Sequence, residues 1–156
     1  MLNERFEVAG KNILEIGCND GFLLSRLAGF NAVVKGLDAS SKMVSLAKSS
    51  GVDAEVSIVG GEDLSAQSIQ KKYDLIIANN VVNHSDKPRE FMAAVSQMLG
   101  PNGTFIFEQP YWGSTVDSLK LDQVYHEHIS YFSLKSIASL LSRSGMYIYD
   151  FDLNIL

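Results

Sequence analysis

The chain is short of cysteine, of positive charge and of long apolar runs, and each shortage removes a class of protein. Cys18 is the single cysteine, so no internal disulfide and no cysteine-based zinc site is available. A reduced, cytoplasmic setting is then the default expectation. Lys and Arg number 13 against 18 Asp and Glu, for a formal net charge of −5, and no Lys/Arg-rich run occurs. That balance argues against a general nucleic-acid surface. No apolar run reaches the ~18 residues that a membrane helix needs. The first residues, Met1 to Glu7, lack the charged-then-apolar plan of a signal peptide. What remains is ordinary globular composition, 46% hydrophobic and 20% charged. Its 156 residues read as one domain, 1–156, without repeats, low-complexity segments or linkers.

The most telling stretch runs from Ile13 to Leu24. An apolar strand enters a tight glycine loop, and the loop enters an amphipathic helix. Doubly wound α/β sheets hold their ligand at such a turn, at the carboxyl end of the first strand. In a dinucleotide loop, Gly-x-Gly-x-x-Gly, the middle glycine brings the backbone against a pyrophosphate. Here that position is Asn19, the loop carries Asp20, and Glu15 precedes it. Acids repel a pyrophosphate and suit a cation. The sulfonium and α-ammonium of S-adenosylmethionine have the fitting sign. Gly17 and Gly21 leave the backbone free to pass close to such a ligand.

Three further signals follow in order. Ala32 to Asp38 reads as strand two, and Asp38 stands about 20 residues past the loop, where an acid accepts ribose hydroxyls. Such charge-assisted bonds are about twice as strong as neutral ones. Gly61-Glu62-Asp63-Leu64 follows a third strand and offers Asp63 to an adenine amino group. Tyr73 to Val82 reads as a buried strand carrying Asn79 and Asn80 at the ligand edge.

Helical periodicity falls between the strands. Helices are expected from about Gly21 to Gly29 and after Ser40, with Met43, Leu46 and Ala47 inward; others start near Pro88 and after Ser133. Strand five is expected at Thr104–Glu108 and strand six at Met146–Phe151. The alternation implies a doubly wound, mostly parallel, Rossmann-like sheet of about six strands, with helices on both faces.

This run of motifs resembles the class I S-adenosylmethionine-dependent methyltransferases, over nearly the whole chain and in the family's order. The resemblance implies S-adenosyl-L-methionine as methyl donor and S-adenosyl-L-homocysteine as product. It places the cofactor on Glu15, Gly17, Asn19, Gly21, Asp38, Asp63, Leu64 and Asn79. A full sheet of this class has a seventh, antiparallel strand between the fifth and sixth, and none is evident here. Strand six therefore either pairs directly with strand five or leaves an apolar edge. Such an edge invites another chain, so a homodimer through it, or truncation of a longer ancestor, is expected.

A long insert, about 109–132, lies between strand five and the last helix, on the ligand side. Loops of this length are usually lids or binding segments. Its Tyr125-His126-Glu127-His128 run, with Phe107 to Tyr111 and Asn79 to His84, resembles the sugar C-methyltransferases that act on nucleotide-linked keto-deoxysugars. The resemblance implies His128 as general base, with Tyr125 and Glu127 as supporting polar residues. The chemistry stands on its own as well. Carbon methylation needs a carbanion-like nucleophile, which a base forms next to a ketone. Histidine suits that task near neutral pH, and Tyr125 is placed as donor to the enolate oxygen. This scheme needs no metal. His126-x-His128 is a metal pair only if extended, and no third ligand is evident. If residues 125–128 are helical, Tyr125 and His128 share a face; if extended, His126 and His128 do.

Members of the sugar subgroup also carry a cysteine-rich zinc module ahead of this domain and a further domain behind it, and this sequence has neither. The expected partner is a small-molecule acceptor, with no nucleic acid and no membrane. The alternatives are a small-molecule O- or N-methyltransferase and a non-catalytic cofactor-binding module.

Overall fold

A computed structural model describes residues 5–61, 64, 70–119, 122 and 124–153. Five strands form one parallel sheet: β1 (Asn12–Ile16), β2 (Val33–Asp38), β3 (Ala54–Val56), β4 (Tyr73–Asn79) and β5 (Leu99–Glu108), in the order β3-β2-β1-β4-β5. Among the described residues, these helices connect and cover them: α1 (Phe22–Ala28), α2 (Ser41–Ser49), α3 (Pro88–Met98), α4 (Trp112–Asp117) and α5 (Leu134–Ser142). The strand order reverses between β1 and β4, so the ligand crevice opens at their carboxyl ends.

Strand alternation splits the core in two. Ile13, Leu75 and Ile77 face α1 and α2, where they meet Leu24, Leu27, Val44 and Ala47. Leu14, Ile16, Ile76 and Ala78 face the other way, onto Phe91, Met92 and Val95 of α3 and Ile137 and Leu141 of α5. Both faces are covered, which is why β1 and β4 read as nearly unbroken apolar runs. The helix starts follow local chemistry. Ser40 accepts the Met43 N–H at 3.4 Å, Pro88 opens α3, and Ser133 and Ser136 form a reciprocal capping box at α5.

Four expectations are corrected. The sheet has five strands rather than about six: Met146 to Phe151 forms no ladder. Met146 and Ile148 pack on the core while Tyr147, Tyr149 and Phe151 are exposed, so the alternation is real. A strand also needs a neighbouring backbone, and a cleft of about 1280 Å³ runs between this segment and Thr104–Glu108 of β5. Among the described residues β5 pairs with β4 alone, so the free edge lies there rather than at a sixth strand. Strand five begins at Leu99, not Thr104, and takes in Gly100 and Pro101; an edge strand tolerates the missing N–H of proline. In α2, Val44 is buried and Leu46 is exposed, because the helix leans on β2 and β3 by a different stripe. No helix among the described residues is long and apolar enough to cross a membrane.

Candidate functional site

The donor end is built from backbone. The Gly17 and Cys18 N–H groups both donate to the Leu37 carbonyl, at 2.7 and 3.1 Å, which ties the loop to β2. Asp38 completes the tie: Oδ2 accepts the Asn19 N–H at 2.9 Å and Oδ1 accepts the Ser40 N–H at 2.8 Å. Each carboxylate oxygen keeps a lone pair for a further donor, so Asp38 can shape the loop and still accept a hydroxyl. Asn19 takes φ 51°, the left-handed conformation that asparagine tolerates. Gly17 has φ 73°, and a Cβ there would lie 2.5 Å from Cγ2 of Val81, beyond β4. Asp20 Oδ1 accepts the Phe22 N–H at 3.2 Å and so opens α1.

Glu15 is the exceptional group. It is 6% exposed, and its Oε2 has no hydrogen-bond partner. Burial, then the nearby charges of Asp20 and Asp38, push its carboxyl up to about 8. No cation among the described residues pairs with these acids, and burial with their mutual repulsion favours the protonated form of Glu15. A ligand with an ammonium and a sulfonium supplies the missing charge, so these residues fit S-adenosylmethionine. Cys18, buried and in the same acidic field, has its thiol pushed up to about 12, which makes it a packing residue and not a nucleophile.

The other predicted donor residues are placed as follows. Asn79 is exposed at the end of β4, and Asn80, with φ 54°, donates its N–H to the Glu108 carbonyl at 2.7 Å. Leu64 packs against the core cluster under α3 and α5. Asp63 lies outside the described residues. Sequence reading missed Gly36 and Val81. A Cβ on Gly36 would sit 2.5 Å from Cys18 Sγ, and a glycine inside a strand is the signal for such an approach.

The second centre lies on the 109–132 insert. A turn closes residues 125–128, with the His128 N–H donating to the Tyr125 carbonyl at 3.0 Å. The two side chains meet: Tyr125 Oη lies 2.7 Å from His128 Nε2, with ring centroids 4.0 Å apart. Tyr125 is 42% exposed and His128 only 7%, so the phenol stands in front of the imidazole. His84, in a single 3-10 turn (Val82–His84) after β4, meets the His128 ring edge-on at 5.0 Å. Trp112 and Tyr131 pack at 5.2 Å beside them. Glu127 and His126 are both exposed.

The fold and the acidic glycine loop at its switch point are those of a class I S-adenosylmethionine-dependent methyltransferase domain. The chain belongs to the methyltransferase-domain family, whose model matches residues 2–150. It is 28% identical over 144 residues to the C-methyltransferase NovU of Streptomyces niveus, a match that covers 90% of this chain and 34% of that protein. It is 29% identical over 110 residues to a ubiquinone biosynthesis O-methyltransferase of Thiobacillus denitrificans, covering 68% of this chain and 47% of that one. The chain therefore spans from about a third to about half the length of these curated relatives. The crystal structure of an S-adenosylmethionine-dependent methyltransferase from Mesorhizobium loti superposes with a TM-score of 0.69 at 22% identity, over 89% of this chain and 75% of that one.

Proposed function

We propose that this domain methylates a carbon adjacent to a carbonyl in a small acceptor, and that the acceptor is a nucleotide-linked keto-sugar. The observation that carries this reading is the Tyr125–His128 pair. A 2.7 Å contact between an outward phenol and a buried imidazole is a base with a relay in front of it. As the Tyr125 oxygen takes the proton from the acceptor carbon, its own proton passes to His128 Nε2. The C–H electron pair becomes the enolate, and His128 ends as the imidazolium. When bound, the cofactor supplies an electrophilic methyl group on a sulfonium. The acids around Glu15 would hold its charged end, and Asp38 would orient its ribose. A C-methyltransferase is among the relatives, and its match over 90% of the chain takes in the insert that carries the pair.

The test is incubation with S-adenosylmethionine and a nucleotide-linked keto-deoxysugar in heavy water, followed by NMR. The expected result is deuterium exchange next to the ketone and a new C-methyl signal, both lost in His128→Asn. A methyl group found on oxygen would favour the second reading, an O-methyltransferase, which the ubiquinone-pathway relatives support. In that case the same pair deprotonates a hydroxyl.

A further inference from the structure

Asn83 occupies the 3-10 turn one residue before His84. Its carbonyl accepts the N–H groups of Ile129 at 2.9 Å and Ser130 at 3.0 Å, and so clamps the segment just after His128. Its side chain is 3% exposed, and neither Oδ1 nor Nδ2 has a hydrogen-bond partner. An amide offers two donors and an acceptor with two lone pairs, and sealing all of them away unpaired is costly. Leucine, of the same branched shape, would carry no such polar cost. Val82 beside it is buried and apolar, so the turn folds without polar side chains inside. A buried amide in this condition calls for a partner that arrives from outside the chain. One role at this centre is also open. The hydroxyl of Tyr125 is engaged with His128, so it is not the spare donor that an enolate oxygen requires.

We propose that Nδ2 of Asn83 binds the carbonyl oxygen of the acceptor, next to the carbon being methylated, and that this bond holds residues 125–130 closed over it. The proposal rests on the carbonyl-acceptor reading above. Without acceptor, closure leaves the amide unpaired and is disfavoured. With acceptor, the amide is satisfied and closure is favoured, which is the difference in affinity that a ligand needs to shift a conformational equilibrium. The oxygen gains negative charge as the proton leaves, so the same bond strengthens toward the transition state.

Asn83→Leu tests this with two readouts. The first needs no acceptor: hydrogen exchange at the Ile129 and Ser130 amides, together with the unfolding temperature. The leucine variant is expected to slow that exchange about tenfold or more, with an unfolding temperature equal to or above the parent's. The second uses the nucleotide-linked keto-deoxysugar. There kcat/KM is expected to fall about a hundredfold or more, while calorimetric affinity for S-adenosylmethionine stays the same. Faster exchange with a lower unfolding temperature would make Asn83 a structural residue and overturn the proposal, as would unchanged turnover. A parent protein that neither exchanges nor methylates the sugar would instead overturn the carbonyl-acceptor reading, while the exchange data still judge the unpaired amide.

Discussion

The two halves of the ligand edge are built by different means. At the donor end, loop, strand and helix start are joined by main-chain bonds and one carboxylate: Gly17 and Cys18 to Leu37, Asn19 and Ser40 to Asp38. At the proposed acceptor end the contacts are between side chains: Tyr125 of the insert lies against His128, His84 meets His128 edge-on, and the Asn83 amide is buried without a partner. The first design follows from backbone geometry that any chain with these glycines and acids adopts. The second depends on which residues a loop brings over the sheet. On the function proposed above, recognition of a common cofactor belongs to the first, and choice of acceptor to the second.

The division is sharpest at His128. Replacing it with asparagine is expected to lower turnover about 10²–10⁴-fold, the usual contribution of a positioned base, and to leave calorimetric affinity for S-adenosylmethionine unchanged. A weakened cofactor affinity would break the division. Glu15→Gln addresses the other half. The fold raises this carboxyl from 4.5 to about 8, so its neutral form is favoured in the folded state. Its stabilising effect is complete below the unfolded value and is lost as pH rises through about 8. The parent should lose on the order of 2–4 kcal/mol relative to Glu15→Gln between acid and mildly alkaline pH, measured by denaturant unfolding across that range without cofactor. Parallel pH curves would show that Glu15 is already charged.

Asp38→Ala is expected to weaken cofactor binding by about 1.5–3 kcal/mol, read by calorimetry, with no separate effect on the Tyr125–His128 pair. The smallest effect belongs to Glu127→Gln. Glu127 is exposed, so the change should stay within about 0.5 kcal/mol in stability and shift kcat less than a few-fold. A large loss of kcat would show that the insert closes further than it does here.

The parts of this molecule that are legible in its residues are those decided within a few positions of themselves. Apolar runs placed β1 and β4, Ser40, Pro88 and Ser133 placed helix starts, and the acids Glu15, Asp20 and Asp38 come close enough at the first turn to act on one another. Where the outcome depended on a distant partner, local pattern was insufficient. Met146 to Phe151 carries strand alternation and still makes no strand, because β5 lies across a cleft. Tyr125 to His128 was open between helix and extended chain until a turn brought the two rings together. Asn83 carried no signal, since an unpaired amide is a property of its surroundings.

Periodicity, caps and the order of charged residues were enough to make this chain a doubly wound sheet with an acidic loop at its switch point, because these features act over one turn or one strand. Only the folded chain decided that five strands form and that Tyr125 stands in front of His128. It alone left Glu15 Oε2 and the Asn83 side-chain amide buried without partners, because burial and pairing are set by what the rest of the chain leaves beside a residue.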